Sequence, residues 1–274
     1  MGFGTGVAPA APDSLCVAAE GRVQVQRGTA TCSATGPGSF ARARGEHSAA
    51  VARGRDTRAV VTGDGSAATA TGGRGNRASV VGDRSEAAAV RGRLNRAVVR
   101  GDDSRATARD GDHNRARAVG DATFAVAGDG HRNRAVAAGG GIHRAEATGG
   151  NRNVALAEGR NSTALAGDGN RNRATVGGGF DNYASARSGH RNLATVDGNR
   201  SGAFAERGHR NVASVVGRNL NNAFARDGNR NTAQIFGNDG NWAEAGDGHR
   251  NTAIIRGDGL RAVATGDRVT VEVP

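Results

Sequence analysis

Alanine keeps a regular beat along this chain. One series runs Ala59, Ala78, Ala97, Ala116, Ala135, Ala155, Ala174, Ala194, Ala213, Ala233 and Ala253, in steps of 19 or 20 residues. A second falls midway, at Ala68, Ala87, Ala106, Ala125, Ala145, Ala164, Ala184, Ala203, Ala223, Ala243 and Ala262, so the half-period is nine or ten residues. Two residues beyond the first-series alanine stands a branched residue, as at Val61, Val80, Val99, Val176, Val196, Val215, Ile235 and Ile255. Two beyond the second stands another alanine, as at Ala70, Ala89, Ala108, Ala127, Ala186, Ala205, Ala225 and Ala245. A spacing of two is the strand period, so both positions face one side. The positions between them vary among Arg, Thr, Ser, Glu and Phe and are expected to face solvent.

Helix is the competing expectation, because Ala is the best helix former. Recurrent Gly leaves no apolar pattern of period 3.6 to support it. Each half-repeat reads instead as a strand of about five residues closed by a turn, where Gly-Asp-Gly and Gly-Asn tolerate positive φ. Two strands and two turns per coil predict an all-β fold: a two-sided parallel β-solenoid of 19–20 residues per coil. About 12 coils at ~4.8 Å each make a rod of roughly 60 Å. Asn133, Asn153, Asn172, Asn192, Asn211, Asn231 and Asn251 are expected to stack as an amide ladder. The expected divisions are a flexible segment 1–15, an N-terminal cap coil 16–40, repeats 41–266 and a capping strand 267–274. Pro274 cannot extend a ladder.

Composition agrees with a thin core. With 45 Gly, seven Phe, one Trp, one Tyr and one Met, buried volume must come from Ala and Val. Cys16 and Cys32 sit in similar strand phrases and are placed on one face in neighbouring coils, either as a disulfide or as buried thiols at alanine positions. The stretch 7–14, VAPAAPDS, is similar to the tail of a leader-cleavage region, so an extracellular or cell-surface location is expected. A cytoplasmic one is the alternative, since the basic leader and apolar run are missing. No stretch approaches the ~18 apolar residues of a membrane span.

Stretches such as GGNRNVALAEGRNSTALAGDGN (149–170) resemble curlin repeats, in which Gly-x-x-Asn-x-Ala leads into a strand in paired half-repeats. The resemblance covers about residues 59–264, with a shorter half-repeat and without the inward Gln near the strand end. It implies a β-solenoid architecture. Trimeric autotransporter heads are similar but shorter in period. Calcium-binding RTX repeats carry Asp two residues before an apolar residue, where this chain has Asn or Ser.

No catalytic set stands out, and no enzyme activity, cofactor or metal is expected. His131, His190, His209 and His249 all precede Arg-Asn in one turn position, as repeat-unit fillers. The Gly-x-Gly phrases precede strands, whereas a phosphate loop needs a helix N-terminus. An ice-binding face would need regular Thr, which the outward positions lack.

Charge adds one candidate chemistry. The net charge is +11, and all 37 basic residues are Arg. Arg58, Arg77, Arg96, Arg115 and Arg134 would stack on the first face. In later coils the column moves into the turn, as Arg132, Arg152, Arg171, Arg191, Arg210, Arg230 and Arg250. Such columns are either solvated and balanced by turn carboxylates or a track for a polyanion. Without interleaved aromatics, single-stranded nucleic acid is not favoured. A second candidate is an aromatic face on the second series: Phe124, Tyr183, Phe204, Phe224 and Trp242, with Leu165 and Val263 adjoining the later ones. It is either a stiffening ladder or a contact surface. The expected function is a secreted structural or adhesive surface module that contacts a cell-wall or extracellular polymer or itself. The alternative is a polyanion-binding protein using the stacked arginines.

Overall fold

The computed structural model describes residues 14–274, and among them there is no helix. Successive strands alternate between two facing sheets of 15 and 13 strands. Two of the fifteen belong to an N-terminal hairpin, so thirteen strands of each sheet pair off into about 13 coils, against the twelve expected. The difference arises at the start, because the first parallel pairing already joins Thr31 to Ala49.

Register follows the alanine beat. Ala135, Ala155, Ala174 and Ala194 lie in line in the larger sheet, and Ala145, Ala164, Ala184 and Ala203 in the smaller. These alanines are fully buried, as are Val176, Val196, Val215, Ile235 and Ile255. In most coils branched side chains fill from the larger sheet and alanines from the smaller, while at Ala118, Ala137 and Ala157 both sheets supply alanine. Gly sets the turns. A Cβ on Gly189 would run into the carbonyl oxygen of Gly208 one coil on, so a side chain there would wedge the coils apart.

A second set of stacked groups closes each coil. Asn172 donates from its amide to the Gly167 and Gly189 carbonyls at 2.8 Å each and accepts the Asn192 backbone N–H at 3.0 Å. Asn192 does the same for Asn211, and the buried column reaches back to Asn76, beyond the members expected. The opposite corner carries a matching column not anticipated from the sequence, with Ser66, Ser85, Ser104, Thr123, Ser162, Asn182, Ser201, Asn221 and Asn241 all buried. Each satisfies main-chain groups that the thin core would otherwise strand without water. His143 is the odd member. It is fully buried between Thr123 and Ser162, and neither ring nitrogen makes a well-formed hydrogen bond. Burial outweighs the pull of the Gly140 backbone and holds its imidazole below the ordinary value.

The N-terminal cap departs from the expected parallel coil. β1 (Leu15–Ala19) and β2 (Arg22–Arg27) form an antiparallel hairpin, and β1 also runs antiparallel to β4 (Phe40–Arg44). β3 (Thr31–Thr35) opens the other sheet. Cys16 and Cys32 are bonded, but not along one face. Cys16 lies in β1 and Cys32 in β3, so the disulfide joins the two sheets across the core. Pairing with β2 and β4 puts β1 in the larger sheet, opposite β3. The Cα–Cα distance of 5.6 Å is reached because facing sheets lined by small residues approach more closely than the usual ~10 Å. The expected flexible segment lies outside the described residues up to residue 13; Ser14 is already buried. At the other end Thr270–Val273 adds a last parallel strand beside Thr252–Ile255. No helix among the described residues is long and apolar enough to cross a membrane.

Candidate binding edge and aromatic band

Each turn from the smaller sheet to the larger places one residue in the left-handed region just before the ladder Asn. In successive coils that residue is Arg132, Arg152, Arg171, Arg191, Arg210, Arg230 and Arg250, with φ between 60 and 62°, and then Arg268. Earlier coils place Gly38, Asp56, Gly75, Leu94 and His113 there, all with positive φ, and only the glycines adopt this conformation without a Cβ penalty. For an L-residue with a side chain the conformation costs roughly 1–2 kcal/mol. Asn, common elsewhere in these turns, would be better tolerated. Seven consecutive arginines there are not what backbone preference selects.

Backbone pairing holds the column in step. The Arg191 N–H donates to the Asn170 carbonyl at 2.9 Å, and Arg210 and Arg230 donate likewise to His190 and His209. All seven side chains are exposed, and none joins an ion pair among the described residues. Two of the carboxylates in these turns are engaged with other arginines. Asp110 pairs with Arg91 at 2.6 Å and Asp227 with Arg207 at 2.7 Å. In the opposite turns Asp64, Asp83 and Asp102 accept main-chain N–H groups. Among the described residues no three His, Cys, Asp or Glu side chains converge as a metal set.

The residue before each arginine builds a ladder of its own. His190 Nδ1 accepts the Asn170 N–H at 2.9 Å, and His249 Nδ1 accepts that of Asn229 at 3.1 Å. Asn151 Oδ1 accepts the His131 N–H at 2.9 Å. The histidines are thus turn residues interchangeable with Asn and Asp. His190 and His209 stack at 4.9 Å between ring centres. Together the two columns line a groove of about 1620 Å³ along this edge, from Asp112 and His113 to Asp267 and Arg268. The first-face arginines also fall in register, Arg58 beside Arg77, Arg77 beside Arg96, then Arg115 and Arg134, but on an exposed sheet face.

The aromatic residues of the smaller sheet make a continuous stack. Tyr183 and Phe204 lie 5.4 Å apart, Phe204 and Phe224 4.8 Å, and Phe224 and Trp242 4.5 Å between ring centres. The Phe204–Phe224 planes differ by 6°. Gly202 makes the step from Tyr183 possible, since a Cβ there would meet the Phe204 ring at 2.8 Å. Leu165 and Val263 occupy the same outward slot as Phe204 and Phe224 at the two ends, separated from them by Ser185 and Glu244. Phe124 lies further off, past Arg144 and Thr163, and is not part of the stack. Ions fix the flanks. Arg187 pairs with Glu206 at 3.2 Å, and Ser185 donates to the same carboxylate. Arg226 pairs with Glu244 at 2.7 Å and lies over the Phe224 ring. Burial alone would push Glu244 up, but hydrogen bonds from Arg226 and Trp242 hold it below the usual carboxylate range, while burial raises Tyr183. Because the rings face one another along the rod axis, their faces are used within the stack.

Comparison with protein-family models, with curated proteins and with solved structures finds no match for this chain.

Proposed function

We propose that this protein is a non-enzymatic surface rod that adheres to extended polyanions along its arginine edge. The observation that carries the reading is the column Arg132 to Arg250: exposed, without carboxylate partners among the described residues, and in a backbone conformation that disfavours side chains. Like charges one coil apart repel, at ~1 kcal/mol for 4 Å in water, so a bound anion relieves an existing cost. The reading joins the adhesive role expected of the rod to the polyanion reading of its arginines. The Cys16–Cys32 bond supports an oxidising, extracytoplasmic location.

The test is a salt titration of binding to a synthetic polycarboxylate. Parent protein is compared with the triple variant Arg191→Asn, Arg210→Asn and Arg230→Asn, since Asn tolerates the left-handed turn. Affinity is expected to fall steeply with salt, and the triple variant to bind weakly with a shallower slope. Binding that ignores both removes the reading.

A further inference from the structure

Resting on that reading, we infer that the groove is cut for one class of polyanion: an extended acidic polysaccharide, a polyuronate, lying along the rod axis with one carboxylate per coil.

Three observations lead there. The first is spacing. Adjacent column arginines are tied to adjacent coils by main-chain hydrogen bonds, which places their backbones one strand spacing apart, ~4.8 Å. A polyuronate carries one carboxylate on every sugar, and an extended sugar unit is about as long as one coil is high. A guanidinium meets a carboxylate as a two-pronged donor. Its long stem lets it follow carboxylates that alternate between the two flanks of a glycan chain.

The second is the donor character of the lining. His131, His190, His209 and His249 each accept a main-chain N–H at Nδ1, so the neutral ring carries its proton on Nε2. Asn151 and Asn229 spend their carbonyl oxygens in the same way, leaving the amide NH₂. The ladder consumes acceptors and leaves donors beside every arginine. That suits a ligand rich in hydroxyl, ether and carboxylate oxygens. The groove contains no Phe, Tyr or Trp for a nucleobase to stack on.

The third is that the donor stretch is bounded. Asp112 and Asp267 occupy the ladder position at its two ends, where acidic side chains repel a polyanion. Between them lie seven column arginines, Arg132 to Arg250, matching an oligomer of about seven acidic sugars.

The experiment measures binding of the full chain to sized oligogalacturonates, to the same oligomers fully methyl-esterified, and to single-stranded DNA of equal charge number, at one ionic strength. Oligogalacturonate affinity is expected to rise with length and level off near seven units, and to vanish on esterification. It should fall at least about tenfold in the Arg191→Asn, Arg210→Asn, Arg230→Asn variant. A second triple variant, Arg58→Gln, Arg77→Gln and Arg96→Gln, alters the exposed face and should bind like the parent; equal loss in both overturns the groove as the site. Tighter binding of DNA than of oligogalacturonate overturns the polyuronate inference while leaving polyanion binding standing. Affinity that keeps climbing well past seven units overturns the bounded stretch. No binding to any of these anions overturns this inference and the proposed function together.

Discussion

Replacing Asn172 by Ala tests how the coils are held. The change removes two amide N–H donations and one acceptance, leaving the Gly167 and Gly189 carbonyls and the Asn192 N–H without partners. A buried polar group left unpaired costs ~1–3 kcal/mol, and the two carbonyls border a turn that water can reach. The lower part of that range applied three times gives about 3–5 kcal/mol. Asn172→Ser is the informative control. In the opposite column the single Ser85 hydroxyl proton is shared between the Gly101 and Asp83 carbonyls at 2.8 and 3.0 Å, and its oxygen accepts the Ser104 N–H at 3.1 Å. A serine at 172 should therefore restore the acceptance from Asn192 and the contact to Gly189 while leaving Gly167 unpaired, so it should recover part of the loss and cost about 1–3 kcal/mol. Urea unfolding followed by far-ultraviolet circular dichroism measures the difference. Amide exchange at Asn192 locates it, because a repeat array can open at one weakened coil before the rest. An Asn172→Ala protein within about 0.5 kcal/mol of the parent refutes the ladder as a source of stability. So does an Asn172→Ser protein as damaged as the alanine variant.

Four further outcomes are expected. Ala174→Leu forces a larger side chain between sheets spaced for alanine and should cost ~1–3 kcal/mol in urea unfolding, a loss that a solvent-facing residue would not show. Replacing Cys16 and Cys32 together by Ser removes a link between residues 16 apart in sequence and should cost about 3 kcal/mol, with faster amide exchange confined to the N-terminal cap. His143 is held below the ordinary imidazole value by burial, so the unfolded chain binds a proton there that the folded chain does not. Stability from this site is present above about pH 6.5 and is lost as pH falls below it; the parent's urea midpoint should therefore drop more than that of His143→Asn between about pH 8 and about pH 5. Phe224→Ser with Trp242→Ser should lower the melting temperature and leave the elution volume on sizing unchanged, because the ring faces are already used against one another.

The coil was legible because the physics that builds it repeats. Ala174 and Val176 face inward for the same reason as Ala194 and Val196, so the period multiplied a weak local signal. The serine and asparagine column was equally visible: each member stands two residues before a second-series alanine, as Asn172 stands before Ala174. Ser, Thr, His and Asn alternate there without a shared residue type, which masks the column, although each offers the main chain a polar partner. The cap was hidden for another reason. A hairpin that reverses direction leaves no mark on the alternation of side chains, so Cys16 and Cys32 looked like neighbours on one sheet. At the candidate edge, the arginine column could be read from spacing alone. Its left-handed backbone and the engagement of the nearby carboxylates belong to three-dimensional geometry, as does the contact that carries the ring stack from Tyr183 across Gly202 to Phe204.

Main-chain hydrogen bonds fix the height of every coil, and with it the pitch of the arginine column. The backbones of the column are evenly spaced, and the Arg stems absorb a small mismatch at one coil but not one that accumulates along the rod. A polymer whose anionic groups share the pitch stays aligned from Arg132 to Arg250. One with charges ~5.2 Å apart slips by ~0.4 Å per coil and is half a coil out of phase after about six. Short fragments of the two would be held almost equally, and discrimination would grow with length. The number of coils then sets how finely the rod can measure a chain, so lengthening the array would sharpen selection without altering a single contact.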